Sequence, residues 1–312
     1  MQSLKKIVIN GLIVLGLSSG LMVSALAVIT VESPTYDEWF ASSSRESDAS
    51  AEALAAVEAA EALLLDFSKS DIDTLKYYAE VGNSSAQFYL SNAYYDGTGV
   101  RQNYTEAFKW VKKAADQGNV TAQFNLATTY RDGKGVRQNY AEAVNWYRKA
   151  ADQGLDIAQL NLGGLYSHGT GVRQNYTEAF DWFRKAAEQG NITAQFNMAN
   201  YYRDGKGVKQ DYAEAVKRYR QVANQGYASA QNNLGVMYRD GKGVRQDYAE
   251  AVNWHRKAAE QGDSYAQYNL GNAYQDGKGV KQSKVIAKEW FGKSCDRGNQ
   301  GGCDEYRKLN QK

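Results

Sequence analysis

Between Thr121 and Tyr130 the apolar positions Ala122, Leu126 and Tyr130 fall four residues apart, so they share one face of a helix. A second apolar set follows the same period: Tyr140, Ala143, Val144, Tyr147, Ala150 and Ala151, which predicts a buried stripe with Trp146 at its edge. Between the two runs lie Gly133 and Gly135. The first predicts a left-handed helix stop and the second another sharp bend, after which Val136 returns to cover the core. Asn139 opens the second helix with Glu142 three residues on, the spacing of a capping box. Gly154 closes the unit.

This pair of helices is written six times. The string Gly-x-Gly-Val recurs with its first glycine at Gly97, Gly133, Gly169, Gly205, Gly241 and Gly277, a step of 36 residues throughout. The capping position reads Asn103, Asn139, Asn175, Asp211, Asp247 and Ser283, all good N-caps. The closing glycine recurs as Gly118, Gly154, Gly190, Gly226, Gly262 and Gly298. A fixed period of this size marks units that bury their apolar faces only against their neighbours, and so an all-α solenoid.

Upstream the pattern changes. Residues 49–65 are rich in Ala, Leu and Glu, with Leu54, Val57, Ala60 and Leu64 at helical spacing, and a short helix is expected over Asp73–Val81 before Gly82. Residues 28–48 hold the only proline, Pro34, and the run Ser42-Ser43-Ser44, and read as a flexible tether. Residues 1–27 read as a cleavable signal peptide: Lys5 and Lys6, an apolar stretch from Ile7 to Val23, then Ala25-Leu26-Ala27. The competing reading, an uncleaved anchor, is weakened by Gly11, Gly16 and Ser18-Ser19-Gly20. No cysteine stands near the cleavage site, so a lipid anchor is not expected there. The mature protein is therefore expected in a bacterial periplasm or secreted, without stable membrane insertion and as a monomer.

Composition sharpens this picture in two places. Of the 312 residues 29 are Gly and 23 are Tyr, an excess that the repeats account for. The net charge of +2 is a near-cancellation: residues 28–85 carry twelve acidic and three basic side chains, whereas 86–312 carry 23 acidic and 32 basic. An acidic leader could fold back on the basic array, or the array could meet an acidic partner. Two His residues leave little for a metal site, and none is expected, nor any cofactor.

The string Ala-Gln-Phe-Asn-Leu-Ala-x-x-Tyr-x-x-Gly-x-Gly-Val-x-Gln-x-Tyr-x-Glu-Ala, followed by Trp and Lys-Ala-Ala-x-Gln-Gly, resembles the Sel-one-like repeat, a cousin of the tetratricopeptide repeat. The resemblance runs over residues 86–301 in six units, with 302–312 left as a C-terminal capping helix and 49–85 as a helical cap or degenerate repeat. It departs from the family in the residue after the loop valine, often Pro there and always Arg or Lys here. It implies a right-handed α/α superhelix of 36-residue helix-loop-helix repeats whose concave groove receives a protein or peptide.

By analogy with tetratricopeptide packing, the groove-facing side chains are Phe88, Phe124, Leu160, Phe196 and Tyr268, with Asn232 at the same position of the fifth unit. Four residues on stand Asn92, Thr128, Asn200 and Asn272, and three further on Tyr95, Arg131, Arg203 and Arg239. The alternative is that these aromatics touch the neighbouring helix and belong partly to the core. A second ladder, Arg101, Arg137, Arg173, Lys209, Arg245 and Lys281, places a cation in every loop. It could form a positive stripe for an acidic protein or anionic head groups, or be solvated charge paired locally with the nearby Asp-Gly aspartates. A nucleic-acid role fits poorly behind a signal peptide.

Cys295 and Cys303 have seven residues between them, a spacing that links neighbouring helices in cysteine-rich secreted members of the resembled family. The resemblance and the compartment together imply a disulfide tying a final short helix, Cys303–Leu309, to the array. A redox or metal pair lacks a Cys-x-x-Cys motif and a neighbouring His. Catalysis finds little support. His168 and His255 replace an Asp and an aromatic of the other units and read as repeat drift. Some secreted relatives have been labelled β-lactamases, but the one Ser-x-x-Lys is Ser3–Lys6 in the signal segment and Lys-Thr-Gly is absent. The expectation is a non-enzymatic scaffold or binding module. Its uses in the family's range are toxin neutralisation as an immunity protein, scaffolding of an envelope complex, or host contact.

Overall fold

The computed structural model describes residues 66–311. The expected signal segment, the tether and the helix at 49–65 lie outside them. The described residues form fourteen helices and no strand, and the chain divides after Ala114 into two compact units. The first holds α1 (Ile72–Glu80), α2 (Ser84–Asp96) and most of α3 (Tyr104–Asp116). The second holds the helix pairs α4 (Val120–Asp132) and α5 (Tyr140–Asp152), α6 (Asp156–His168) and α7 (Tyr176–Glu188), α8 (Ile192–Asp204) and α9 (Tyr212–Asn224). It continues with α10 (Ala228–Asp240) and α11 (Tyr248–Glu260), then α12 (Ser264–Asp276) and α13 (Lys284–Asp296), and ends with α14 (Gln300–Asn310). Within it each helix packs against the next in sequence, so the repeats build an α/α solenoid.

In the first unit Phe67, Leu75, Ala79, Ala86 and Leu90 form one buried cluster. Its helix α1 starts a residue earlier than the expected Asp73, because Asp71 caps it by accepting from the backbone of Asp73 and Thr74. In the second unit the buried positions recur with the repeat. Leu126, Leu162, Met198, Leu234 and Leu270 from the first helices and Tyr147, Phe183, Tyr219, His255 and Phe291 from the second are all buried.

The loops show why the repeat is so constant. Gly133 ends α4 in the left-handed conformation at φ 71°, and the equivalent glycines do the same. The second loop glycine has a further task. A Cβ on Gly207 would stand 2.2 Å from the carbonyl oxygen of Tyr176 at the start of the preceding repeat's second helix. Gly171, Gly243 and Gly279 press on Tyr140, Tyr212 and Tyr248 in the same way. The bend read from sequence is thus also a close backbone approach between neighbouring repeats.

Two local expectations change. The capping box is only half made: Asn139 accepts from Glu142 N at 3.1 Å, but its own N–H donates to Tyr130 O at 2.8 Å. The same exchange recurs at Asn175, Asp211, Asp247 and Ser283, so each second helix is hydrogen-bonded to the helix before it. The glutamate is released for other work, as when Glu178 accepts from the Trp182 indole at 3.2 Å. Tyr140, expected in the buried stripe, is exposed, because the next repeat's loop covers its backbone and leaves its ring on Gln138. Trp146, expected at the edge, is buried, with Lys149 3.6 Å over its ring.

A buried glutamine ladder runs between repeats. Gln123, Gln159, Gln195, Gln231 and Gln267 each donate to the last turn of the preceding helix, as Gln159 does to Ala151 O at 3.1 Å. Gln153, Gln189, Gln225 and Gln261 close the ladder by donating to the side-chain oxygens of the first four. At the end, a disulfide between Cys295 and Cys303 joins α13 to α14. Helix α14 begins three residues before the expected Cys303, where Asn299 caps it by accepting from Gly302 N.

Candidate functional site

The third repeat departs from its neighbours at four positions on one helix face. Where the second repeat has Phe124, Thr128, Arg131 and Asp132, and the fourth has Phe196, Asn200, Arg203 and Asp204, α6 carries Leu160, Gly164, Ser167 and His168. Three of these positions carry less side chain than their counterparts, Gly164 none at all. The result is a cavity of ≈ 550 Å³ over α6, walled by the first helices on either side. A Cβ on Gly164 would meet nothing within 4 Å, so that glycine opens the space rather than serving a contact.

The walls are defined by hydrogen bonds. On the α4 side Arg131 is held by Asp132 at 2.7 Å and by the Tyr147 hydroxyl at 3.2 Å, and Tyr147 also meets Thr128 at 2.9 Å. Its hydrogen bond to Asp132 holds the Arg131 guanidinium above its usual range, and burial pushes the Tyr147 phenol up. On the α8 side Arg203 is held by Asp204 at 2.7 Å, with Lys206 3.9 Å from the same carboxylate. Asn200 accepts from Tyr219 at 2.6 Å, and burial raises that phenol to about 12. The floor is Leu160, Leu165, Phe183, Tyr147 and Tyr201. The Tyr201 hydroxyl is buried; burial pushes the phenol up, and the Ser167 side chain beside it, short of a hydrogen bond by geometry, pulls weakly the other way.

Of the groove-facing residues expected from sequence, Arg131, Leu160, Asn200 and Arg203 meet around this cavity. Phe124 and Phe196 are half-buried and do not line it; they lean on the second helices, with ring centroids 5.5 Å from Tyr147 and 6.0 Å from Tyr219. Tyr268 does the same with Phe291 at 5.8 Å. Phe88, Asn92 and Tyr95 sit half-buried on α2, and Asn272 half-buried on α12. Arg239 is drawn to Asp240 at 2.7 Å and to Asn269 at 3.2 Å.

The loop cations Arg101, Arg137, Arg173, Lys209, Arg245 and Lys281 are all exposed, and among the described residues none of them forms an ion pair. The local pairing with Asp-Gly considered for them does not occur. Arg131, Arg203 and Arg239, each one residue before its aspartate, take that carboxylate instead.

Two features escaped the sequence reading. One is an asparagine at the same position of five repeats: Asn125, Asn161, Asn197, Asn233 and Asn269. Asn161 and Asn197 line the cavity, while Asn233 and Asn269 reach back to the preceding repeat at Asn200 and Asn232. The 36-residue period alone could have shown it. The other is what His255, read above as repeat drift, does in the structure. It is buried in the aromatic slot with Nδ1 3.1 Å from Asn232 Oδ1, and it comes with Asn232 where other repeats pair two aromatics. Burial, with Arg239 adding to it, pushes this imidazole down to about 3.

A family model described as the Sel1 repeat matches residues 84–119, 120–155, 156–191, 192–227, 228–263 and 264–299. Among solved structures, the chain is similar to a protective antigen present in uropathogenic Escherichia coli strains displaying an SLR fold. The identity is 36%, the TM-score 0.71, and the match covers 78% of this chain and 56% of that one. The chain thus spans little over half the length of that relative. It is also similar to a Sel1 repeat protein from Oxalobacter formigenes, at 36% identity and TM-score 0.61, covering 68% of this chain and 85% of that one. Among curated proteins there is no match.

Proposed function

The chain belongs to the Sel1 repeat family, a protein-binding kind of module, and from that premise we propose that it is an exported, non-enzymatic binding protein that seats a segment of a partner protein in the third-repeat cavity. The observation that carries this reading is the coordinated change at Leu160, Gly164, Ser167 and His168. A solenoid needs none of these four changes for its own packing, and together they hollow out one place in an otherwise repetitive face. The volume matches what a short peptide segment fills, with an apolar floor and polar rim of the kind such sites use.

Export is supported by the signal-like start at residues 1–27, by the Cys295–Cys303 disulfide, which persists in oxidising compartments, and by the protective-antigen description of the E. coli relative. Among the described residues no helix is long and apolar enough to cross a membrane. Toxin neutralisation, envelope scaffolding and host contact are three uses of one such surface, and the captured partner decides between them. The test is a photo-crosslinking residue at Asn197 in the living cell. The expected result is one discrete partner adduct that is lost when Gly164→Trp fills the cavity; an adduct indifferent to that substitution would place recognition elsewhere.

A further inference from the structure

We infer that the third-repeat cavity takes an acidic side chain, Glu or Asp, carried within a peptide segment of the partner. The inference rests on the cavity being the binding site and adds the chemistry of what enters it.

Charge is the first observation. The lining carries Arg131, Arg203 and Lys206 against one carboxylate, Asp204. Asp132, which grips Arg131, does not line the cavity, and counting it still leaves an uncompensated cation. A guest with a negative charge meets complementary potential inside a partly enclosed space, where charge interactions are less screened than on open surface.

The second observation is independent of charge. Tyr201 is 6% exposed and lines the cavity, and its buried hydroxyl has only the Ser167 side chain beside it, which falls short of a hydrogen bond by geometry. Its counterparts are Ala93, Thr129, Leu165, Met237 and Ala273, so the phenol is no part of the repeat architecture. A buried hydroxyl left unsatisfied is destabilising. A guest acceptor that displaces the Ser167 side chain beside the Tyr201 hydroxyl would take its hydrogen bond. A carboxylate has acceptor sites enough for this O–H, for the Asn197 amide and for a guanidinium of the lining. The floor of Leu160 and Phe183 suits the methylenes that carry it.

The experiment selects random twelve-residue peptides on phage against the full chain and screens the binders on Gly164→Gln, whose Cβ meets nothing within 4 Å and whose side chain takes up space in the cavity. Expected are Gly164-dependent peptides that contain Glu or Asp. Changing that residue to Gln in the synthetic peptide should weaken binding about tenfold or more. Tyr201→Phe should also weaken binding severalfold while leaving the melting temperature unchanged or higher, an outcome that a purely structural hydroxyl would not give. Gly164-dependent peptides that bind equally well after Glu→Gln would overturn the carboxylate inference and leave the cavity reading standing. No Gly164-dependent peptide at all would overturn both.

Discussion

The side-chain amide of Gln189 donates to Gln159 Oε1 at 2.9 Å, joining the end of α7 to the start of α6 within the third repeat. Gln159 in turn donates to Ala151 O, so one buried amide ties three helices. The pattern breaks at the last repeat, where the donor's position holds Arg297 and the Gln267 Oε1 acceptor is left buried and unpartnered. Arg297→Gln should supply the missing donor and stabilise the fold by about 1 kcal/mol, read from urea denaturation. Gln159→Ala should cost about 1–3 kcal/mol in the same assay. No gain from the first would mean that the acceptor is already satisfied by solvent.

The loop glycines allow a comparison of two costs. At Gly226, with φ 90°, an added Cβ would have nothing within 4 Å, so Gly226→Ala tests backbone conformation alone. That cost is about 1–2 kcal/mol. Gly207 has φ 65°, and a Cβ there would lie 2.2 Å from a backbone carbonyl oxygen. Gly207→Ala should therefore destabilise clearly more than Gly226→Ala, because two repeats must separate to admit the methyl group. Equal losses by thermal denaturation would show that the second loop glycine serves conformation only.

His255 makes stability depend on pH with a definite sign. Its folded pKa of about 3 lies below the unfolded value of ~6.5, so between them the unfolded chain holds a proton that the folded chain refuses. Stability therefore falls as pH drops through this window, by on the order of 3 kcal/mol between about pH 7 and about pH 4.5 if His255 alone contributes. Asn232→Phe with His255→Tyr restores the aromatic pairing of the second and fourth repeats. This double variant should lose that slope in urea titrations at the two pH values. An unchanged slope would assign the acid sensitivity to other groups.

Much of this molecule could be read from its residue pattern. Phase, loop glycines and caps all follow from the four-residue apolar spacing and the 36-residue period, because each is a local demand of one helix pair. What failed was the part set by neighbours. Tyr140 has the right spacing for the core, yet the next repeat's loop takes its place there. Asn139 has a capping-box partner in sequence, yet Tyr130 O claims its N–H first. The cavity was also invisible to a reading of shared positions. Leu160, Gly164, Ser167 and His168 are each minor deviations, and only stacking between α4 and α8 turns them into one space.

The central claim is that this space is where the partner binds. Its most direct measurement is the affinity of the partner captured from Asn197, by calorimetry, for the wild-type chain, for Gly164→Gln and for Lys185→Gln. Lys185 stands over Trp182 on α7, is exposed, and does not line the cavity. The account predicts that Gly164→Gln weakens binding at least tenfold with an undiminished melting temperature, while Lys185→Gln changes it less than twofold. Unaltered affinity in the well-folded Gly164→Gln chain would contradict it.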